Sequence, residues 1–383
     1  MDKWTVFIIA CGTLSVAGYG DFNHMKVPED ANLTFPELGR KYGFNVIEHD
    51  VYTEDGYILR LFNLQSSSRK PVFLMHGIID SADTFILRGA DSLAVTLARR
   101  GYDVWAGNAR GCKYSRRHVA LDPDRDQQFW DYTFHEIGYY DLPAMIDYTL
   151  AATGRRRLSA IGHSQGTTNF YVMGATRPEY NEKIDIMISM APVSSVANIK
   201  NPLRLAVQIS PLLNVLIMSL YGKEEIFSRA GPFKTISQQL CLENQSTYDF
   251  CLEELFLNGG FDPKELEPEF APVLFGHYPD STSRKNTLHT AQQGLTTEMS
   301  QYDYGPEGNL ERYGSKKPPV YDLSKVTMKI ALLVGRNDKV ATVRDAKMLS
   351  KKLANVVLFH VLRRKEANHL DFVWGRHIYS NRY

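Results

Sequence analysis

Short apolar runs separated by longer mixed stretches set the rhythm of this chain. They fall at 71–75, 102–106, 158–161, 184–190, 329–334 and 356–361. Each is of strand length and nearly continuous in hydrophobic content, the pattern of strands buried on both faces. The stretches between them carry helix signals. One ends at Arg99-Arg100-Gly101, with the glycine where a helix cap belongs. Another opens at Asp141-Leu142-Pro143, because proline is tolerated in a first helical turn. Strands alternating with helices predict an α/β fold, a mostly parallel sheet flanked by helices.

The rhythm changes between 197 and 320. Residues 203–221 are largely apolar with few charges, interrupted by Pro211 and Asn214. Pro232, Gly259-Gly260, Pro263, Pro268 and Pro272 follow, and then the segment Gln301-Tyr302-Asp303-Tyr304-Gly305. This stretch reads as an insertion between two strands of one sheet, forming a cap over its edge. At the N-terminus, Lys3 precedes an apolar stretch that runs to Ala17 and ends in Ser15-Val16-Ala17. It is too short to span a bilayer and has small residues at the cleavage positions, so residues 1–17 are expected to be a signal peptide. The mature chain then begins near Gly18 and enters the secretory pathway.

With 383 residues, 44% hydrophobic and 23% charged, the chain has the balance of a globular protein with a sizeable core. Lys and Arg total 44 against 43 for Asp and Glu, a net charge of +1. That is no field for a polyanion, and nucleic acid is excluded as a default partner. Removal of Cys11 with the signal leaves Cys112, Cys241 and Cys251. An oxidising compartment favours a Cys241–Cys251 bridge with Cys112 left over. Asn32-Leu33-Thr34 and Asn244-Gln245-Ser246 fit the N-glycosylation pattern, in keeping with secretion.

Gly162-His163-Ser164-Gln165-Gly166 carries the strongest chemical signal. It matches G-x-S-x-G, follows the strand at 158–161 and precedes a helix at 167–176. A serine on such a turn projects its hydroxyl into a cleft, and flanking glycines remove side chains that would crowd it. A hydroxyl needs a base, and the base needs an acid to hold its tautomer. Where this turn occurs, the acid and then the histidine follow the serine in chain order. Gly335-Arg336-Asn337-Asp338 directly follows the strand at 329–334 and nominates Asp338, whose alternative role is a turn-forming residue. Asp303 and Asp322 lie upstream of that strand and fit less well. Asn368-His369-Leu370-Asp371 follows the last strand and nominates His369. His360 lies within that strand, and His163 is expected to be a packing residue.

Attack on a carbonyl creates an alkoxide that two backbone N–H groups must already face. The residue after the nucleophile, Gln165, is one expected donor. The other is Ile78, in the loop His76-Gly77-Ile78 after the first buried strand. No H-E-x-x-H, C-x-x-C, phosphate-loop or dinucleotide glycine pattern occurs in the sequence. The expected reaction is acyl transfer with no cofactor and no metal.

With these residues in place, the sequence resembles the acid lipase family, which includes gastric and lysosomal acid lipases and many insect members. The likeness begins at Val51-Tyr52-Thr53-Glu54-Asp55-Gly56-Tyr57-Ile58-Leu59 and His76-Gly77-Ile78-Ile79. It continues through Gly107-Asn108-Ala109-Arg110-Gly111, Tyr139-Tyr140-Asp141-Leu142-Pro143-Ala144 and Gly162-His163-Ser164-Gln165-Gly166-Thr167-Thr168. It closes with Ala191-Pro192-Val193 and His369-Leu370-Asp371-Phe372-Val373-Trp374-Gly375. The resemblance implies an α/β-hydrolase core in two parts, 18–196 and 321–383, with a cap and lid at 197–320. It also implies Ser164, Asp338 and His369 as a triad, and neutral lipid esters, triacylglycerol or steryl ester, as substrates. Three departures stand out. Gly259 occupies the place of a cysteine in mammalian members, so their disulfide cannot be carried over. Cys112 stands where many relatives have Asn. Tyr383 follows Trp374 closely where relatives continue with another helix, which predicts an uncovered apolar face and a looser loop around His369.

The run at 203–221, with Leu212, Leu213, Val215, Leu216, Ile217 and Met218, reads equally as a lid opening onto lipid and as a cap helix packed on the core. Lys200, Arg204 and Lys223 nearby suit an anionic surface or plain solvation. The partner is then a lipid ester at an oil–water or membrane interface, with no transmembrane anchor and no nucleic acid. The setting is secreted or lysosomal, and the oligomeric state is open. A carboxylesterase for small soluble esters and a non-catalytic lipid-binding relative are the alternative readings.

Overall fold

All six apolar runs become strands of one sheet, and they run parallel to one another. The computed structural model describes residues 27–65, 70–210, 224–228 and 259–377, with positions 212, 214, 253, 255 and 256. In chain order the strands are β1 (Val46–Tyr52), β2 (Ile58–Leu64), β3 (Pro71–Met75), β4 (Asp103–Gly107), β5 (Leu158–His163) and β6 (Ile184–Met190). After them come β7 (Glu225–Ile226), β8 (Thr282–Ser283), β9 (Ile330–Val334) and β10 (Val356–Val361). The main sheet has the order β1-β2-β4-β3-β5-β6-β9-β10, and β7 pairs with β8 in a separate antiparallel ladder.

Each central strand feeds two cores, because successive side chains point to opposite faces. In β3, Val72 and Leu74 enter one cluster while Phe73 and Met75 enter the other, and all five residues of the strand are buried. The helices Leu142–Thr153 and Gln165–Thr176 cover the second face with Met145, Ile146, Phe170 and Val172. The helices Leu93–Arg99 and Ala271–His277 cover the first with Ala94, Val95, Val273 and Leu274. Gly101 has a φ of 83°, ending the chain's turn out of Leu93–Arg99 as its sequence position suggested.

Two features go beyond the apolar runs. The antiparallel pair β1–β2 extends the sheet past β4. In β1, Val46 and Val51 are buried while Glu48 and Asp50 are exposed, an edge strand with one face in solvent. Pro143 does lie in the first turn of Leu142–Thr153, but a π-helical turn, Ile137–Asp141, and the short helix Phe134–Glu136 run directly into it. The wider turn gives room for a ring that supplies no N–H to the preceding residues.

β6 and β9 are neighbours in the sheet, although residues 191–329 lie between them in the chain. That span includes the helix Leu203–Gln208, the β7–β8 ladder, and the helices Ala271–His277, Arg284–Gln292 and Gly305–Tyr313. Leu205 and Leu212 in its apolar run are exposed, at 57% and 71%, so these two positions do not pack on the core. Leu213, Val215, Leu216, Ile217, Met218 and Lys223 lie outside the described residues, as do the proposed signal segment, Cys241, Asn244 and Cys251. Among the described residues no helix is long and apolar enough to cross a membrane.

One buried cation joins the sheet edge to the helical layer. Arg110 donates from Nε to Asp141 Oδ1 at 2.8 Å, and from its two terminal nitrogens to Asp55 at 2.6 and 2.9 Å. Its guanidinium lies 3.9 Å from the ring centroid of Tyr57. Asp55 belongs to the β1–β2 turn and Asp141 to the helical run, so one side chain ties both to the loop after β4. Removing the cation leaves Asp141 buried with its charge uncompensated. Arg110→Met is expected to lose about 3–5 kcal/mol of stability, measured by denaturant unfolding; a loss below about 1 kcal/mol would show the ion cluster to be dispensable.

Candidate functional site

The loops that leave the C-terminal ends of β3, β5, β9 and β10 converge, the place where open α/β sheets gather binding groups. Ser164 stands between β5 and the helix Gln165–Thr176 with φ 52° and ψ −123°. A non-glycine residue at such a φ costs of order 1–3 kcal/mol, so the surroundings must impose it. They do so by close approach. A Cβ on Gly166 would sit 2.3 Å from the Met75 carbonyl oxygen, and one on Gly162 would sit 2.9 Å from the Gly166 carbonyl carbon. The two glycines let the helix start against β3 and β5, which forces the turn at Ser164.

His369 lies on the loop after β10. Its Nε2 is 2.9 Å from Ser164 Oγ and its Nδ1 is 2.9 Å from Asp338 Oδ2. The other oxygen of Asp338 accepts from the main-chain N–H of Val340 at 2.8 Å and of Ala341 at 2.7 Å. The Asp338 carboxylate accepts from Nδ1–H, which keeps that proton on the ring at Nδ1 and leaves Nε2 bare to accept from the serine hydroxyl. Three side chains distant in sequence thus form one continuous hydrogen-bonded line.

The loop carrying His369 is tied at several points. Its N–H donates to Gly259 O at 3.1 Å, and Asn368 Nδ2 donates to Gly260 O at 2.9 Å. Asp371 Oδ2 accepts from Asn368 N at 3.0 Å and from Arg364 at 3.1 Å. Arg364 also pairs with Asp262. A Cβ on Gly259 would lie 2.6 Å from Leu370, so this position faces the histidine loop directly. The loop is therefore anchored, whereas β10 beside it carries half-exposed Val357 and Leu358.

His163 does more than pack. Its Nε2–H donates to the main-chain carbonyl of His369 at 2.9 Å, and burial lowers its pKa to about 3, so the ring is neutral. His76 is neutral for the same reason, its pKa lowered to about 4 by burial. It accepts from Ala109 N at 3.0 Å and donates to Gly77 O at 2.8 Å, which pins the start of the loop after β3. A Cβ on Gly77 would come within 3.2 Å of Ser164 Cβ, so this loop passes directly over the serine. Ile78 follows, then Ile79 at φ 51°.

Ile78, Gln165, Ser164 and His369 all line one cavity of about 440 Å³. Its walls are predominantly apolar, including Val193, Ile199, Val207, Leu288 and Trp374, as in sites for hydrophobic ligands. Of the four non-glycine residues at positive φ among the described residues, Ile79, Ser164 and Phe227 line this cavity. The side chain of Gln165 is held by Asn286 and Thr290 of the helix Arg284–Gln292, two residues for which the sequence offers no signal.

The other sequence candidates lie elsewhere. Asp322 caps the short turn at 323–325, Asp303 accepts from Asn309, and His360 is exposed on β10. Asn32 is exposed at the end of the Glu29–Ala31 turn. Cys112 is a buried free thiol whose pKa burial pushes up, and it donates to Asn108 Oδ1.

Sequence comparison finds relatives along nearly the whole chain. The family model described as "alpha/beta hydrolase fold" matches residues 70–375, and the "partial alpha/beta-hydrolase lipase region" matches residues 35–89. Lipase 1 of Drosophila melanogaster is 38% identical over 350 residues, 91% of this chain and 77% of that protein. Gastric triacylglycerol lipase of Rattus norvegicus is 36% identical over 360 residues, covering 90% and 88%. Lipase member K of Mus musculus is 33% identical over 383 residues, covering 97% and 94%.

Asp371 makes the anchoring of the histidine loop pH-dependent. Burial raises its pKa from 3.8 to about 7. The folded protein then holds a proton that the unfolded chain has released. The stabilisation is fully present below the unfolded pKa and is lost as pH rises through about 7. Asp371→Asn cannot ionise, so the wild-type Tm is expected to fall relative to the variant between about pH 4 and about pH 8. Thermal unfolding across that range tests it, and a constant difference would refute the assignment.

Proposed function

Because this chain belongs to the acid lipase family of α/β-hydrolases, we propose that it cleaves carboxylic esters of neutral lipids, triacylglycerol or steryl ester, through an acyl-enzyme intermediate. The observation that carries the reading is the line Ser164–His369–Asp338, with 2.9 Å at each link, opening into an apolar cavity. Ser164 Oγ attacks the ester carbonyl carbon while His369 Nε2 takes the hydroxyl proton. Asp338 holds the imidazole by Nδ1 and stabilises the imidazolium that forms. The main-chain N–H groups of Ile78 and Gln165 receive the oxyanion. Collapse of the tetrahedral intermediate breaks the bond to the alcohol oxygen, and His369 delivers the proton to that leaving group. A water molecule, deprotonated by His369, then adds to the acyl carbon; the bond to Ser164 Oγ breaks, His369 returns the proton to that oxygen, and the fatty acid is released.

A neutral His163 beside His369 suits this cycle, since a second cation there would oppose the imidazolium. Residues 197–320 act as cap and lid over the core formed by 18–196 and 321–383, with substrate drawn from an oil–water or membrane interface. Residues 1–17 direct the chain into the secretory pathway, to the exterior or the lysosome. There Asn32 and Asn244 accept glycans and Cys241 pairs with Cys251.

Ser164→Ala is expected to lower turnover of a triacylglycerol emulsion by about 10⁶-fold with an unchanged Tm. The variant should also lose labelling by a fluorophosphonate that marks the wild type. Wild-type rates on one ester, followed across its solubility limit, should jump when the emulsion forms. A smooth saturation curve through that limit would replace the lipase reading with a soluble-ester one. An unlabelled, folded wild type would remove hydrolysis altogether.

A further inference from the structure

The helix Arg284–Gln292 lies outside the main sheet, yet it reaches the residue that follows the nucleophile. Asn286 and Thr290 are one turn apart on its surface and so share a face. The Gln165 and Asn286 amides bond reciprocally: Gln165 Nε2 donates to Asn286 Oδ1 at 3.2 Å, and Asn286 Nδ2 donates to Gln165 Oε1 at 3.0 Å. Gln165 Nε2 also donates to Thr290 Oγ1 at 2.9 Å, and that hydroxyl donates to Asn286 O at 3.0 Å. Asn286 Nδ2 adds a bond to Thr282 Oγ1 at 3.2 Å. Gln165 and Asn286 are both buried.

The helix itself is fastened to the core. Ser283 caps it, accepting from Lys285 N and Asn286 N, and donates to Trp130 O at 2.6 Å. The His289 ring stacks on Phe134 with centroids 3.7 Å apart. Just before it, Asp280 N donates to Ile79 O at 2.8 Å. Residues 280–290 therefore hold both loops that carry the oxyanion donors, Ile78 by its neighbour's carbonyl and Gln165 by its side chain.

Apolar contact alone would cover an apolar cavity. A reciprocal amide pair does something apolar contact cannot: it sets distance and orientation, because a misaligned pair leaves buried polar groups unbonded. From this we propose that Asn286 is a positioning residue for ester hydrolysis. Through the Gln165 side chain it fixes where the Gln165 main-chain N–H points. The proposal rests on the reading of Ser164, His369 and Gln165 given above.

The test uses the full chain, with active sites counted by fluorophosphonate titration and p-nitrophenyl butyrate as a soluble substrate. The probe is a trifluoromethyl ketone, whose carbonyl carbon takes Ser164 Oγ and whose oxygen becomes an oxyanion in the donor site. Complete loss of an N–H donor costs about 10²–10³-fold. A donor that is only loosened should cost about tenfold in kcat/KM for Asn286→Leu, with the ketone Ki rising by the same factor. In Gln165→Leu/Asn286→Leu the second substitution should add no further loss, since its route runs through Gln165. Thr290→Val, which removes the bond to Gln165 Nε2 and the one to Asn286 O but leaves the amide pair, should show about threefold in both measures and decides the matter if Asn286→Leu does not fold. Wild-type kcat/KM per titrated site in the variants would overturn the proposal. So would a loss that the ketone Ki does not follow, or additive losses in the double variant. Activity retained by Ser164→Ala would instead sink the underlying hydrolase reading.

Discussion

Everything at the centre of this molecule depends on how closely one helix approaches one strand. Gln165–Thr176 begins against β3 with no room for a methyl group at residue 166, since the Met75 carbonyl oxygen would be 2.3 Å away. That contact forces Ser164 into the left-handed region and aims its hydroxyl at His369. Gly77 repeats the device on the other side, bringing the loop after β3 across the serine. Strain at Ser164 and the approach of its hydroxyl to His369 are two consequences of one packing distance.

Charge around that turn is managed by burial. His76 and His163 are both held neutral, and each spends its proton on a main-chain carbonyl, Gly77 and His369 respectively. His369 differs because it meets a carboxylate on one side and a hydroxyl on the other. The three imidazoles thus divide into two that hold main-chain carbonyls and one set between a carboxylate and a hydroxyl. The division follows from their partners, since all three are buried.

The apolar cavity and the polar clamp around it work at different scales. A wall of aliphatic and aromatic groups is non-directional and suits a substrate recognised by its hydrocarbon. The amides of Gln165 and Asn286 are directional and buried, so they hold one geometry. Reaction chemistry needs the second property beside the first, since a donor displaced from the developing charge loses most of its value.

Periodicity was enough to find the six parallel strands, since a strand buried on both faces must be continuously apolar. β10 is the exception, an apolar run at the sheet edge with Val357 and Leu358 exposed rather than buried on both faces. Local chemistry was enough to nominate Ser164, Asp338 and His369, whose side chains the fold brings into hydrogen-bonding reach, because each stands just past a strand end in a recognisable turn. The edge hairpin β1–β2 escaped that reading: one face of β1 is in solvent, and its charged residues hide the apolar ones. His163 looked like filler and turned out to hold the His369 carbonyl; Asn286 and Thr290 gave no signal at all. Their roles consist of hydrogen bonds to residues more than a hundred positions away. The sequence by itself determined which segments fold and which side chains have the chemistry. Which buried polar groups meet was decided by the tertiary structure, because a hydrogen bond depends on the distance and direction between segments that only packing brings together.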